Sequence, residues 1–261
     1  MDLGLEGKVF LVGGGSRGLG YAVAEALAGE GARVAIMARD ETAVREAAAR
    51  LSENGAEVVG DPVDVRQPGQ IEGWVARAVE RWGTLHGALS NAGGPPPGEF
   101  PVFEDAAWRE AFDLIVLSAV RLSRATIPHM EKEGGSLVFV TSSSTKEPIP
   151  NLTLSTVTRA SVAALSKDLA RQYAAAGIRC NHLVPGRIDT ARVRSLDAAN
   201  AKRAGIGEDE QYRRSIATIP IGRYGKPAEF GRAAAFLLSP AASYITGATL
   251  QVDGGMLHGI L

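Results

Sequence analysis

The chain has 261 residues, of which 45% are hydrophobic and 22% charged. That length supports one sizeable buried core, so we expect a single domain over residues 1–261. A formal net charge of −1 without a basic run gives no electrostatic reason to expect a nucleic-acid or membrane partner. The single cysteine cannot form an internal disulfide, and the sequence has neither a signal-like N-terminus nor an apolar run of membrane-spanning length. These features predict a cytoplasmic protein.

Short apolar runs alternate with longer helical patterns along the chain. The helical segments are rich in alanine and amphipathic, as in "YAVAEALAGEGA" and "IEGWVARAVERWG". Most of the apolar runs are hydrophobic almost continuously, which is typical of parallel strands covered on both faces. The pattern predicts an α/β protein with a doubly wound parallel sheet, the Rossmann fold. The predicted strands are residues 9–12, 33–38, 57–65, 86–90, 136–142, 178–185 and 249–255.

Two long irregular segments are predicted, at residues 93–101 and at about 186–215, and both follow predicted strands. In a sheet of this kind ligands bind beyond the carboxyl ends of the strands. We therefore expect these segments to form walls of a site, with the second one acting as a substrate-loop insertion. The alternative is that they are surface connections without a role in binding.

The motif "GGGSRGLG", residues 13–20, lies directly after the first predicted strand and before a helical pattern. A dinucleotide pyrophosphate requires backbone N–H groups at a helix N-terminus, where side chains would obstruct the turn or the close approach. The alternative is a flexible glycine-rich turn. The context favours a dinucleotide site, and the residues expected to contact the cofactor there are Gly14, Ser16, Arg17, Gly18, Leu19 and Gly20.

The end of the second predicted strand bears on the choice of nucleotide. An acidic residue at this place binds the ribose hydroxyls in NAD sites, but here the chain has Ala38 followed by Arg39. Arg39 and Arg17 suit a 2′-phosphate, because a guanidinium forms bidentate charge-assisted hydrogen bonds. Unless both arginines are solvated surface residues, the pattern favours NADP(H) over NAD(H).

Several ordered motifs give the chain a resemblance that spans nearly its whole length. The glycine motif, "SNAG" (90–93), "IRCNHLVPGRIDT" (178–190) and the segment 224–255 resemble short-chain dehydrogenases/reductases, close to the β-ketoacyl-acyl-carrier-protein reductase branch. The resemblance implies an NAD(P)-dependent enzyme that interconverts a carbonyl and an alcohol. The further cofactor contacts that it implies are Asp64 and Val65 near the adenine, Asn91, Ala92 and Gly93 along the cofactor, and Pro185, Gly186, Ile188 and Thr190 around the nicotinamide.

The same resemblance implies a catalytic tetrad of asparagine, serine, tyrosine and lysine, and this chain departs from it. The serine position is Ser142, but the tyrosine position is Ser155, the lysine position is Arg159 and the asparagine position is Ile115. An aliphatic hydroxyl is a far weaker acid than a phenol, so Ser155 does not inherit the tyrosine's role. Arg159 keeps a positive charge and can donate to ribose hydroxyls. We expect Ser142, Ser155 and Arg159 to form the altered catalytic group.

Plainer interpretations of these residues stay open. The helix has an apolar stripe formed by Leu154, Val157, Val162, Leu165 and Leu169, so Ser155 and Arg159 could be mere neighbours of a packing face. Ser142 could be a strand-end hydroxyl that satisfies backbone groups. Lys146 or Tyr212 could supply a substitute acid. The histidines show no metal-ligand spacing with one another or with Cys180, so no metal site is expected.

Two functional hypotheses follow. In the first, the protein is an NADP(H)-dependent oxidoreductase acting on a small-molecule carbonyl or alcohol, with Arg159 holding the ribose and the serines orienting the substrate oxygen. In the second, it is a catalytically silent NADP(H)-binding sensor or subunit module. The resemblance also implies a homo-oligomer, a tetramer first and a dimer second. Nothing in the sequence specifies the substrate.

Overall fold

A computed structural model describes residues 2–259 as one seven-stranded sheet with helices on both faces. All strand pairs are parallel, and the strand order is β3-β2-β1-β4-β5-β6-β7. The order reverses direction between β1 and β4, which is where a doubly wound sheet opens a crevice for ligands. The strands are β1 (Val9–Gly13), β2 (Arg33–Ala38), β3 (Val58–Pro62), β4 (Gly87–Ser90), β5 (Gly135–Val140), β6 (Ile178–Pro185) and β7 (Thr249–Val252).

The helices divide into two layers over the sheet. On one face α1, α2 and α9 bury Val23, Val44 and Phe230 in a single core cluster. On the other face α3 and α6 bury Trp74 and Val162 in a second cluster. The central strands are buried on both sides, as their continuous hydrophobicity predicts. The helices are α1 (Gly18–Gly29), α2 (Glu41–Ser52), α3 (Gln70–Trp82), α4 (Asp105–Phe112), α5 (Ser118–Thr126), α6 (Thr153–Tyr173), α7 (Ala191–Ala204), α8 (Glu208–Ala217) and α9 (Pro227–Leu238).

The sequence pattern suggests that the segment 186–215 is irregular, but in the structure it contains α7 and most of α8. The Thr190 side chain caps α7 by accepting a hydrogen bond from the backbone N–H of Val193 at 3.3 Å. Glu208, Asp209 and Glu210 lie in the first turn of α8, where negative charge favours a helix. These local signals outweigh the low apolar content that makes the segment look like a loop.

The segment 93–101 is largely irregular, as predicted, and it is tied to the start of α6. Gly98 pairs with Leu152 in an isolated parallel bridge. The side chain of Glu99 accepts a hydrogen bond from the backbone N–H of Asn151 at 2.7 Å. The segment is therefore a fixed wall beside the N-terminal end of α6.

Within α6 the apolar stripe is only partly as predicted. Leu154 and Val162 are buried, and Leu165 and Leu169 pack against the core, but Val157 is 49% exposed. At 100° per residue, Val157 lies about 100° from the centre of the stripe that the other four form, so it falls outside the buried face. No helix among residues 2–259 has the length and apolar content needed to cross a membrane.

Candidate active site at the carboxyl edge of the sheet

The glycine motif forms a tight turn between β1 and α1. Gly14 and Gly18 both have φ of +62°, which side chains disfavour. A Cβ on Gly20 would collide with the carbonyl oxygen of Gly14. The turn is therefore a built feature of the fold and not a flexible connection, because three of its positions strongly favour glycine.

The N-terminus of α1 offers an environment that fits a pyrophosphate. The N-cap residue Arg17 makes no side-chain capping hydrogen bond, and the first turn contains no acidic residue. The first N–H groups of the helix are thus left for an anion. Ser16 and Leu19 flank the turn, and Thr190 lies on its other side, with its Cγ2 3.7 Å from a Cβ built on Gly18.

The predicted contacts after β4 close the other side of the turn. The Asn91 side-chain amide donates to the carbonyl oxygen of Gly13 at 3.0 Å, which fixes the end of β4 against the end of β1. Ala92 is partly buried and Gly93 is exposed, with no heavy atom within 4 Å of a Cβ built on it. The space above Gly93 is open to a ligand.

The two arginines expected at a 2′-phosphate are both exposed, and within residues 2–259 neither forms an ion pair. Asp64 follows β3, and its carboxylate accepts hydrogen bonds from the side chain of Arg66, which hold its pKa below the usual value. Val65 is buried, and its carbonyl oxygen accepts a hydrogen bond from Arg121. The adenosine end of the crevice therefore has Arg17 and Arg39 available for an anion.

Ser142 lies two residues beyond β5, which ends earlier than predicted. Its Oγ accepts hydrogen bonds from the backbone N–H of Ser144 at 3.2 Å and from the Ser144 hydroxyl at 3.0 Å. These bonds turn the chain into a short 3₁₀ helix over Ser143–Thr145. When the Ser144 hydroxyl is the donor in the second bond, the hydroxyl proton of Ser142 is left to be donated to another group.

Arg159 joins Ser155 to the end of β5. Its Nε donates to Ser155 Oγ at 3.3 Å, and one terminal nitrogen donates to the carbonyl oxygen of Val140 at 2.9 Å. The other terminal nitrogen lies 3.5 Å from the carbonyl oxygen of Gly93. Burial lowers the pKa of Arg159 to about 10, and the nearby positive charge of Arg192 adds to this effect. Ser155 and Arg159 thus face the carboxyl edge of the sheet and not the packing face of α6.

Ile115 is 4% exposed and lies within a π turn, Asp113–Leu117, between α4 and α5. A π turn inside a helix is frequent at functional sites, but an isoleucine side chain offers neither a donor nor an acceptor. Lys146 is exposed, and Tyr212 packs edge to face on Tyr224. Within residues 2–259, neither Lys146 nor Tyr212 makes a hydrogen bond to the Ser142 and Arg159 group, so the geometry does not supply a substitute acid.

The loop after β6 carries the predicted nicotinamide contacts in a rigid setting. The N–H of Gly186 donates to the carbonyl oxygen of Val252 at 3.0 Å, directly after Pro185. Ile188 is buried and bridges to Gly225 in the C-terminal segment. This loop leads into Thr190 and α7. It therefore connects the glycine turn to the end of the crevice that holds Ser142, Ser155 and Arg159.

Sequence reasoning missed Arg192. This residue lies in the first turn of α7, and it donates to the carbonyl oxygen of Pro95 at 3.3 Å, across the cleft. Its position two residues after the predicted contact Thr190 is the signal that could have identified it. Arg187, Asp197 and Tyr224 lock α7 in place, because Arg187 and the Tyr224 hydroxyl both donate to the Asp197 carboxylate.

Comparisons with known proteins agree with this architecture. The family model described as enoyl-(acyl carrier protein) reductase matches residues 14–257. The 3-oxoacyl-[acyl-carrier-protein] reductase FabG of Vibrio cholerae is 33% identical over 97% of this chain and 99% of its own length. Dehydrogenase/reductase SDR family member 4 of Bos taurus is 36% identical over 97% and 88% respectively.

A solved structure extends the likeness to three dimensions. L-sorbose reductase from Gluconobacter frateurii, in complex with NADPH and L-sorbose, superposes with a TM-score of 0.94 at 32% identity and covers both chains completely. Fold, motif order and full-length relatives therefore agree, and the chain belongs to the short-chain dehydrogenase/reductase family of oxidoreductases.

Proposed function

We propose that this protein is an NADP(H)-dependent reductase that interconverts a carbonyl and an alcohol, of the 3-oxoacyl-acyl-carrier-protein reductase type, without a tyrosine acid. The observation that carries the proposal is that Arg159 bonds both to Ser155 and to the end of β5, two residues before Ser142. This altered group lies at the same sheet edge as a glycine turn that fits a pyrophosphate. NADPH is bound in the L-sorbose reductase complex.

The residues proposed to hold the cofactor divide along the crevice. The turn from Gly14 to Gly20 offers its N–H groups to the pyrophosphate. Arg17 and Arg39 take the 2′-phosphate, which is the basis for preferring NADP(H) over NAD(H). Asp64 and Val65 lie near the adenine, and the Asn91–Gly93 segment lines the middle. The loop from Pro185 to Thr190 receives the nicotinamide, which supplies or accepts a hydride when bound.

The reaction end holds the substrate oxygen with hydroxyl groups and a cation. Ser142 has its proton free for donation when the Ser144 hydroxyl is the donor in the bond between them. Ser155 accepts from Arg159, so its own proton is also free. Arg159 donates to the ribose hydroxyls, and its charge favours negative charge on the substrate oxygen. The proton itself comes from water, since an aliphatic hydroxyl is too weak an acid to supply it.

The rate is expected to be modest but measurable. Positioned acid–base catalysis contributes about 10²- to 10⁴-fold, whereas orientation and electrostatic stabilisation remain available to this site. The test is a fluorescence titration with NADPH and NADH, followed by NADPH oxidation with a panel of β-ketoacyl thioesters, diketones and quinones at high enzyme concentration. We expect tighter binding of NADPH and turnover of at least one carbonyl. NADPH binding without turnover across the panel would instead favour the silent sensor or subunit module.

The role of Arg159 has its own test. Replacing Arg159 with alanine removes a charged donor, and we expect NADPH affinity to fall about 10-fold. Arg159→Lys retains the charge and should retain most of the affinity. An unchanged affinity in Arg159→Ala would show that the residue does not hold the nucleotide.

We also propose that the protein forms a homotetramer, with a dimer as the second possibility. Large apolar side chains are exposed on α4 and α6, which carry Phe112 and Val157, and on the loops that carry Ile221 and Tyr244. Such side chains mark interaction surfaces when they cluster. Light scattering on the wild type is expected to give a tetramer mass, and Val157→Glu is expected to give a smaller species. A monomeric wild type at micromolar concentration would rule the assembly out.

A further inference from the structure

Two arginines converge on one short segment after β4. Arg159 comes from α6 and reaches the carbonyl oxygen of Gly93, while Arg192 comes from α7 and donates to that of Pro95. The Cα atoms of Gly93 and Pro95 are separated by at most about 7 Å. The two guanidinium groups therefore lie beside the same short segment, and the charge of Arg192 acts on Arg159.

Neither of these two cations has a counter-charge. Within residues 2–259, their hydrogen-bond acceptors are backbone carbonyl oxygens and the Ser155 hydroxyl, and no carboxylate lies within ion-pair distance. Two other arginines of the same region are paired: Arg187 with Asp197 and Arg194 with Asp189. Arg159 is partly buried, whereas Arg192 is exposed at the edge of the cleft. A buried charge is normally paired, so the cation of Arg159 calls for an anion from outside the chain, and Arg192 is placed to bind an anion that approaches it.

The contacts of Arg192 lie on the segment after β4 and not on the glycine turn. The proposed pyrophosphate site is the N-terminus of α1, and the 2′-phosphate site is formed by Arg17 and Arg39. Arg192 instead extends over Gly94, where a Cβ would lie 3.1 Å from its terminal nitrogen. The absence of a side chain at Gly94 leaves room for the guanidinium, which is held at the reaction end beside Arg159.

We propose that the substrate is itself an anion, a carbonyl or alcohol compound bearing a carboxylate or an oxyanion of similar size, and that Arg192 binds this group. The inference rests on the proposed reductase function and, within it, favours free oxo acids over acyl thioesters, whose carboxyl group is bound to sulfur and carries no charge. A guanidinium matches a carboxylate through two parallel hydrogen bonds. Arg159 adds a second positive charge beside the same segment after β4, while Ser142 and Ser155 remain directed to the reacting oxygen.

The kinetic test compares matched acids and esters. Wild type is expected to reduce oxo acids such as acetoacetate with a KM about 10- to 100-fold lower than that of the methyl ester. Arg192→Met should remove this preference by raising the KM of the acid and leaving the KM of the ester unchanged. Arg194→Met is the matched control, because it removes the same charge from the same helix at an exposed position.

A binding test decides the inference independently of turnover. Malonate and inorganic phosphate are titrated calorimetrically into wild type, Arg192→Met and Arg194→Met, with and without saturating NADP⁺. We expect wild type and Arg194→Met to bind malonate, and Arg192→Met to bind it at least about 10-fold more weakly. If phosphate binds more tightly than malonate, the anionic group of the substrate is assigned as a phosphate, and the proposed role of Arg192 stays the same.

Three results would overturn the inference. The first is malonate and phosphate binding that is absent in wild type or equal in wild type and Arg192→Met. The second is a loss of NADPH affinity in Arg192→Met with an unchanged ratio of acid to ester, which would assign Arg192 to the cofactor. The third is equal KM values for acid and ester in wild type. The proposed function fails separately, if wild type does not bind NADPH or reduces no carbonyl.

Discussion

The two ends of the crevice are built on different physical principles. At the nucleotide end, the Gly14–Gly20 turn and the start of α1 present backbone N–H groups, and the shape of the turn leaves no room for most substitutions. At the proposed reaction end, the groups available for binding are side chains: Ser142, Ser155, Arg159 and Arg192. Backbone geometry allows little change without loss of the turn, whereas side chains can be exchanged while the backbone stays the same.

Under the proposed function, this difference would allow the chain to keep a nucleotide site while its reaction chemistry changes. The Tyr-to-Ser and Lys-to-Arg differences expected from the family resemblance affect only side chains on α6, and α6 still packs through Leu154 and Val162. Small substitutions at the nucleotide end should therefore abolish nucleotide binding. Side-chain substitutions at the reaction end should change the reaction rate.

The largest effect is expected at the nucleotide end. In Gly20→Ala the new methyl group collides with the Gly14 carbonyl, so NADPH binding should weaken more than about 100-fold as the turn is displaced. Gly29→Ala is the control, because it lies at the other end of the same helix with no heavy atom within 4 Å of the new Cβ. Fluorescence titration measures both, with circular dichroism as the check on folding. Equal affinities in the two variants would mean that the turn does not hold the nucleotide.

A gain of activity is expected at the reaction end. The triple variant Ile115→Asn, Ser155→Tyr and Arg159→Lys supplies a phenol, a lysine and an amide at the positions implied by the family resemblance. We expect kcat for carbonyl reduction to rise about 100-fold and to fall at high pH as the phenol ionises. The same triple with Ser155→Phe is the control, since it has the ring without the hydroxyl. If the two triples had equal kcat at every pH, the assignment of position 155 would be wrong.

The smallest effect concerns pH and stability. His182 is buried between Thr141 and Thr249, and burial, together with the charge of Lys146, lowers its pKa to about 4. Between pH 6.5 and 4 the unfolded chain binds a proton that the folded chain does not, so stability falls as pH falls through this window. We expect His182 to account for a loss on the order of 2 kcal/mol.

The His182 prediction is checked by urea unfolding at pH 7 and pH 4.5 in wild type and His182→Gln. Glutamine keeps a polar side chain and removes the titration, so the loss of unfolding free energy on acidification should be smaller in the variant. Thr249→Val is a second variant, which removes one hydrogen-bond partner and keeps the imidazole. An identical loss in wild type and His182→Gln would exclude His182 as the source.

The sequence allows the fold and the glycine turn to be predicted because both depend on local patterns. Continuous apolar runs predict buried parallel strands, and the spacing of the glycines predicts a turn that strongly favours glycine. At the reaction end, Ser142, Ser155 and Arg159 are identified by the family resemblance. The structure places Ser142 just beyond β5 and bonds Arg159 both to Ser155 and to the end of that strand. The proposed cofactor and catalytic roles of these residues remain predictions.

Other features could not be predicted because they depend on distant contacts. Arg192 lies at the cleft only because it contacts Gly94 and Pro95, which are nearly 100 residues away in the chain. The helices α7 and α8 have weak apolar patterns, and α7 is fixed by the Arg187, Asp197 and Tyr224 group. Val157 looks like part of the apolar stripe until its angle around the helix axis is considered.

The central claim is that this altered site still transfers hydride. The most direct measurement is a reaction with NADPH deuterated at its transferable position and an oxo acid substrate, followed by mass spectrometry of the product. We predict one deuterium on the carbon that bears the new hydroxyl. An alcohol product without deuterium, or no alcohol at saturating NADPH, would contradict the claim.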